Sequence, residues 1–203
     1  MIKRYFEIIG RKSKKAFENK VKNELKNKVL NHYALSIQKN EKSILLQNKK
    51  DINYAKKNGL KDNFVSRLEL DTKKLGAIIN SINLISKLKD PTDRILEQWK
   101  RPNGLKIKKV SVPIGVIGVI YESRPNVTSD VSCLCFKSGN SVILKGGSEA
   151  YFTNKILSNL FRRSLKFHKI DPNFVQFVDM RSRKVVDHML SKMTKYIDII
   201  IPR

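Results

Sequence analysis

Acidic residues are scarce in this 203-residue chain: 18 Asp and Glu stand against 42 Lys and Arg, a net charge of +24. Such a balance excludes an acidic, cation-collecting surface and gives a pI near 10.1, which marks a nucleic-acid partner when the charge is concentrated in one place. Here it is divided almost evenly between residues 1–100 and 101–203, with no basic arm or charged tail. Lys shares nearly every polar stretch with Asn, so two readings stand: a solvated surface left by a proteome-wide drift toward these residues, or a selected polyanion surface. The clusters Lys12-Ser13-Lys14-Lys15, Lys49-Lys50 and Lys56-Lys57 carry no aromatics at stacking intervals, so only nonspecific contact with nucleic acid is expected.

Cysteine is nearly missing. Cys133 and Cys135 are too few for a disulfide framework or a zinc site, and they stand too close together for a comfortable bridge. In an apolar Val-Ser-Cys-Leu-Cys-Phe segment they read as core packing, because a reactive thiolate needs an electropositive, partly open setting. His32, His168 and His188 lie far apart, so no metal site or triad is expected and surface positions are the default. Long apolar runs are missing too. The best, Val110 to Tyr121, is shorter than the roughly 18 residues a membrane span needs and is interrupted by Ser111, Pro113 and two glycines. The N-terminus shows no apolar signal core, so the expected location is a reducing cytoplasm. With 40% hydrophobic residues the chain still has enough to bury a core, as one ordinary domain or two small ones.

What is present is a change of period near residue 100. Apolar residues at Phe17, Val21, Leu25, Val29, Tyr33 and Ile37 predict one helix from Ala16 to Ile37. A second fits Glu41 to Lys57, stopped by Asn58-Gly59 as a left-handed cap. After the short segment Phe64 to Leu68, Asp71-Thr72 caps a third with Leu75, Ile78, Ile79, Ile82 and Ile85 inside, ended by Asp90-Pro91. Residues 1–100 therefore read as helical. From there strand-like runs follow: Leu105 to Val112, the continuous apolar Val116 to Tyr121, Ser141 to Lys145, Phe174 to Val178 and Tyr196 to Ile201. Helices are expected between the last four, at Ser129 to Lys137, from Gly146-Gly147-Ser148 to about Phe167, and at Ser182 to Lys192. The fold class predicted is α/β: N-terminal helices followed by a doubly wound parallel sheet of Rossmann type. The sequence stops directly after a buried strand, so the sheet reads as cut in mid-fold.

Ligands of such sheets bind outside the carboxyl ends of the strands, which favours two loops. Gly146 to Ala150 has Lys145 at the strand's end, two glycines that permit close backbone approach, and Ser148 as a helix cap beside an anion-favouring N-terminus. It reads equally as a phosphate or ribose cradle and as a plain strand-to-helix turn, and it matches neither the Walker nor the Gly-x-Gly-x-x-Gly spacing. Glu122 to Thr128 sets a carboxylate, Arg124 and the Asn126 carboxamide on one turn. There Asn126 either donates to an oxyanion or merely caps the next helix.

Three runs, Pro113 to Thr128 with its Tyr-Glu-Ser-Arg-Pro-Asn-Val-Thr core, Leu134 to Ala150 and Lys195 to Arg203, resemble the gamma-glutamyl phosphate reductase (glutamate-5-semialdehyde dehydrogenase) family of the aldehyde dehydrogenase superfamily. Shorter matches at Asn58-Gly59-Leu60, Arg67-Leu68, Lys87 to Pro91, Arg101 to Leu105 and Asp171-Pro172 fall in the same order, so the resemblance covers nearly the whole chain, but only the family's N-terminal half. It implies an aldehyde-dehydrogenase-like fold and NADPH-dependent reduction of gamma-glutamyl phosphate to glutamate-5-semialdehyde and phosphate in proline biosynthesis. In that family a Cys thiolate captures the acyl group and the cofactor delivers hydride. Asn126 then corresponds to the superfamily's oxyanion-stabilising Asn. Lys145 takes the place of the basic residue on the adenosine ribose or its phosphate, often Arg in this family. Gly146, Gly147, Ser148 and Glu149 line the adenosine end of NADP, with Glu122, Arg124 and Pro125 also at the cofactor. Leu105 to Val112 belongs to an oligomerisation sheet, implying a homo-oligomer. Residues 1–100 become the helical part of the cofactor domain and 101–203 its Rossmann-like part.

The family's nucleophilic Cys lies in the second half of a chain roughly twice this long. Neither Cys133 nor Cys135 takes that role, the catalytic domain is expected to be absent, and the chain is expected to be inactive unless a complementary C-terminal chain supplies the nucleophile. A reading of a different class is a truncated or split-gene product serving as a basic RNA-binding or assembly module.

Overall fold

A computed structural model describes residues 2–182 and 184–203. Five helices come first: α1 (Ile2–Phe17), α2 (Asn23–Lys39), α3 (Glu41–Lys57), α4 (Asp62–Leu68) and α5 (Thr72–Lys87). The stripe that predicts one helix from Ala16 to Ile37 is in fact broken between Phe17 and Asn23. Phe17 packs in the cluster on one face of the sheet, whereas Val21 and Leu25 pack in the cluster on the other. Asn19 turns its carboxamide back to the Lys15 carbonyl at 2.9 Å and closes α1. A four-residue apolar spacing that runs through a chain reversal is indistinguishable, by pattern, from one continuous helix. Two other predicted ends hold: Gly59 caps α3 at φ +70°, and the Asp71 carboxylate accepts the Lys74 N–H at 2.6 Å to start α5. Helix α5 itself stops at Lys87, ahead of the predicted Asp90-Pro91, where Leu88 turns extended.

Residues 1–100 are not helical throughout. Strand β1 (Ile95–Lys100) pairs antiparallel with β2 (Lys106–Val110), Trp99 opposite Ile107, in a hairpin that crosses residue 100. The predicted strand from Leu105 to Val112 is thus one arm of a separate two-stranded sheet, and both arms are exposed.

The main sheet holds β3 (Val116–Tyr121), β4 (Ser141–Gly146), β5 (Val175–Phe177) and β6 (Ile199–Pro202), all parallel, in the order β5-β4-β3-β6. Between them run α6 (Pro125–Lys137), α7 (Tyr151–Phe167) and α8 (Lys184–Lys192). The predicted doubly wound sheet is therefore present. Helix α6 begins before the expected Ser129: Pro125 sits in its first turn, where a missing N–H costs nothing. The expected start of α8 at Ser182 adjoins residue 183, which lies outside the described residues. Strand β6 is shorter than predicted, because Tyr196 and Ile197 fold back onto the Met193 carbonyl, each at 2.8 Å.

Continuous apolar runs make sense in this sheet because it is covered on both faces. Ile117, Val119, Val142, Leu144 and Val175 meet the helices α2, α5, α6 and α7, with Tyr33, Phe136, Phe161 and Phe174 packed edge to face among them. Val116 and Ile143 point the other way, into a cluster built by Phe6 and Ile9 of α1 with Val185 and Met189 of α8. Among the described residues no helix is long and apolar enough to cross a membrane.

Candidate functional site

From β3 the chain winds out to β4 and β5 on one side, then returns to place β6 on the other. Strand order thus reverses between β3 and β6, and the crevice outside their carboxyl ends is where such sheets take ligands. A cavity of about 470 Å³ opens there. The exit of β3 gives it Glu122, Ser123 and Arg124, and the exit of β4 gives it Lys145 through Glu149. Leu60, Phe64 and Arg67 close it from the α3–α4 side, and Arg181 and Val186 from the segment around the start of α8. Four cationic side chains, Arg67, Arg124, Lys145 and Arg181, therefore face two carboxylates across partly apolar walls.

Lys145 is almost fully buried and donates to the Gly146 carbonyl at 2.7 Å. Burial pushes its pKa down, with Glu149 opposing the shift. Glu149 accepts from Ser148 Oγ at 2.7 Å and from Ser123 Oγ at 2.8 Å. Burial pushes the Glu149 carboxyl up, but the two hydroxyls, its own backbone N–H and the nearby Lys145 together hold the pKa low. Glu149 thus ties the exit of β3 to the exit of β4 through Ser123.

The glycine pair answers to protein neighbours. A Cβ on Gly147 would stand 2.6 Å from Ser123 Oγ and 2.8 Å from Glu149 Oε2, and one on Gly146 would strike the Tyr121 ring and the Asn154 carboxamide. Ser148 does not cap a helix, contrary to expectation. Its hydroxyl goes to Glu149, a single 3₁₀ turn intervenes, and α7 starts at Tyr151. The first amides of α7 are capped from a distance: Asp51 of α3 accepts Phe152 N–H at 3.0 Å, Thr153 N–H at 2.7 Å and Thr153 Oγ at 2.6 Å. The anion-favouring end of this helix is already filled by a protein carboxylate.

Asn126 and Pro125 do not line the main cavity. They line an adjoining one of about 400 Å³ that shares Arg67 and Arg124 with it. In the first turn of α6 the Asn126 carboxamide donates to Asp130 Oδ2 at 3.1 Å. It does not cap the helix, whose N-cap, Arg124, makes no side-chain capping bond.

Sequence reasoning missed the two arginines supplied by distant elements. Arg67 entered only as part of a family match, and Arg181 carried no signal. The thiols behave as expected of core residues: both lie buried on α6, and burial raises both, Cys135 to about 12. The histidines are half-buried and not plainly on the surface. His32 stacks on Phe167 at 4.3 Å and bonds to Ser164 Oγ at 3.0 Å, while His188 stacks on Phe6 at 5.0 Å. Among the described residues no cluster of three His, Cys, Asp or Glu forms a metal site.

No family model matches the chain. It is 44% identical over 180 residues to the gamma-glutamyl phosphate reductase of Nautilia profundicola, across 89% of this chain and 44% of that protein. The solved gamma-glutamyl phosphate reductase of Thermotoga maritima superposes with a TM-score of 0.94 at 35% identity, over 98% of this chain and 48% of that one. A probable aldehyde dehydrogenase from Listeria monocytogenes shares the fold alone, at 12% identity and a TM-score of 0.72, over 98% of this chain and 41% of its own. So does an engineered glycolyl-CoA reductase solved with bound NADP+, at 14% identity and 0.67, over 97% and 42%. The chain spans about half the length of the curated relatives it matches. In sequence and in fold it is a relative of the N-terminal half of the gamma-glutamyl phosphate reductases, built on the aldehyde-dehydrogenase fold.

Proposed function

We propose that this chain is the cofactor-binding portion of an NADPH-dependent gamma-glutamyl phosphate reductase, which converts gamma-glutamyl phosphate to glutamate-5-semialdehyde and phosphate in proline biosynthesis. The observation that carries the reading is the cationic cavity at the reversal point of the sheet. Its donor set suits a dinucleotide: guanidinium and ammonium groups for phosphate, Leu60, Phe64 and Val186 for an adenine face, and backbone at Gly146 and Gly147 for the floor. When bound, NADPH supplies the hydride.

In this reading Lys145 and Ser148 hold the adenosine ribose, and Glu149, fixed by two serines, keeps their loop in place. Glu122, Arg124 and Pro125 form the rim toward the reacting end. Asn126 orients a developing oxyanion once its amide leaves Asp130, a donor role commonly worth about 10²–10³ in rate. The buried Cys133 and Cys135 leave the nucleophile to the family's other half, in the same polypeptide or in a complementary chain. Residues 1–100, whose helices end at Lys87, and residues 101–203, which hold the parallel sheet, together supply the cofactor domain, with the β1–β2 hairpin crossing between them. The exposed Leu96, Trp99 and Val110 of the hairpin offer apolar contacts to a second copy in a homo-oligomer. The same reading sets the protein in the cytoplasm.

A chimera tests it. In a proline auxotroph, the chain replaces the matching half of the Nautilia profundicola enzyme. NADPH-dependent semialdehyde formation and growth without proline are expected; a folded chimera that neither binds NADPH nor restores growth overturns the reading.

A further inference from the structure

The guanidinium of Arg181 stands 4.4 Å from the ring centre of Tyr151, 4.8 Å from that of Tyr54 and 4.9 Å from that of Phe152. Aromatic faces around a planar cation fix its position and leave its edge N–H groups to face outward. Among the described residues no hydrogen bond or ion pair engages those N–H groups, and Arg181 lines the same cavity as Lys145 and Ser148. Its segment is fastened as well. The Asp179 N–H donates to the Tyr5 hydroxyl at 2.8 Å, and the Asp179 carboxylate takes Lys155 at 2.8 Å together with the Tyr151 hydroxyl. The carboxylate of Asp51, which acts on Arg181 through space, already accepts three bonds from Phe152 and Thr153.

A preorganised fork of donors without a direct counter-charge suits a dianionic phosphate monoester better than a neutral hydroxyl. We propose that Arg181, together with Lys145 and Ser148, binds the 2′-phosphate of the cofactor's adenosine ribose and so makes the site select NADP over NAD. This assignment rests on the cofactor reading above. Lys145 alone leaves that choice open, since one ammonium serves a ribose hydroxyl and a phosphate alike. Arg181 supplies the second, rigidly held charge that a hydroxyl would leave unused.

Calorimetric titration of the 203-residue chain with adenosine 2′,5′-bisphosphate and with 5′-AMP separates the possibilities. The wild-type chain is expected to bind the bisphosphate about ten- to a hundredfold more tightly, the usual weight of hydrogen bonds to a charged group. Arg181→Gln should abolish that preference by weakening the bisphosphate far more than 5′-AMP, and Arg181→Lys, which keeps the charge without the fork, should retain part of it. A wild-type chain that binds both nucleotides equally overturns the role of Arg181 while the nucleotide site stands, as does a preference that survives Arg181→Gln. Failure of the wild-type chain to bind either nucleotide overturns the cofactor reading as well.

Discussion

Asp51, on α3, accepts the backbone N–H of Thr153, in the first turn of α7, at 2.7 Å. About a hundred residues separate them, yet the carboxylate does what a neighbouring Ser or Asp does for most helices. Burial pushes its carboxyl pKa up, against the three donors and Arg181, so this anion is held in place at a cost. Asp51→Ala removes a cap and leaves buried donors unpaired, an expected loss of about 2–4 kcal/mol in urea unfolding. Asp51→Asn keeps one acceptor oxygen and should cost less. A loss below about 0.5 kcal/mol for Asp51→Ala would show that water replaces the carboxylate.

Gly147→Ala should act on the site more than on the fold. The new methyl group would press on Ser123 Oγ and Glu149 Oε2 and push apart the two strand exits that line the cavity. Nucleotide affinity should fall about tenfold, with stability changed by about 1 kcal/mol or less. Adding Ser123→Ala removes one of the two clashing atoms, so the double variant should regain part of the lost affinity. If titration of the two variants gives identical affinities, Ser123 is not the obstruction.

Acid should loosen the join between α1 and β6. Asp198 accepts from Lys14 Nζ at 2.6 Å and from the Val116 N–H at 2.7 Å. Burial pushes the Asp198 carboxyl up, but these two donors outweigh it and hold the pKa below the usual carboxylate value. The unfolded chain therefore takes up this proton first. The stabilisation is complete above the unfolded value of about 3.9 and is lost as pH falls through the lower folded one. Melting temperatures of the wild type should drop below about pH 4, and Asp198→Asn should flatten that limb. Parallel limbs in the two proteins would remove Asp198 from the acid response.

The parallel core was legible because its demands are local. Val116 to Tyr121 and Ser141 to Lys145 are apolar on both pleat faces, and Gly59 and Asp71 mark helix ends by backbone conformation and side-chain reach alone. Strand β1 was not legible: Ile95 to Lys100 lies exposed with no alternation to read. The same limit applies to the site. Lys145 to Glu149 sits on one loop and stands out through its glycines, whereas Arg181 depends on Tyr54, Tyr151 and Phe152, which come together only when α3, α7 and the segment before α8 are assembled. Asp51 was hidden for the same reason, since a cap supplied from another helix leaves no mark next to the helix it serves.

Helix α1, on the face of the sheet shared with α8, ties together segments more than 160 residues apart. The Ile9 carbonyl takes the Gln176 carboxamide at 3.1 Å, Gly10 lies against the Tyr196 ring, and Lys14 reaches Asp198. During synthesis Val185 and Met189, which pack with Phe6 and Ile9, leave the ribosome about 180 residues after them. At about 5–20 residues per second the first helix waits roughly ten to forty seconds with its apolar side in water. Helix α1 is thus made well before the residues that bury its apolar side, which makes Ile2–Phe17 a natural handle for a chaperone on the nascent chain.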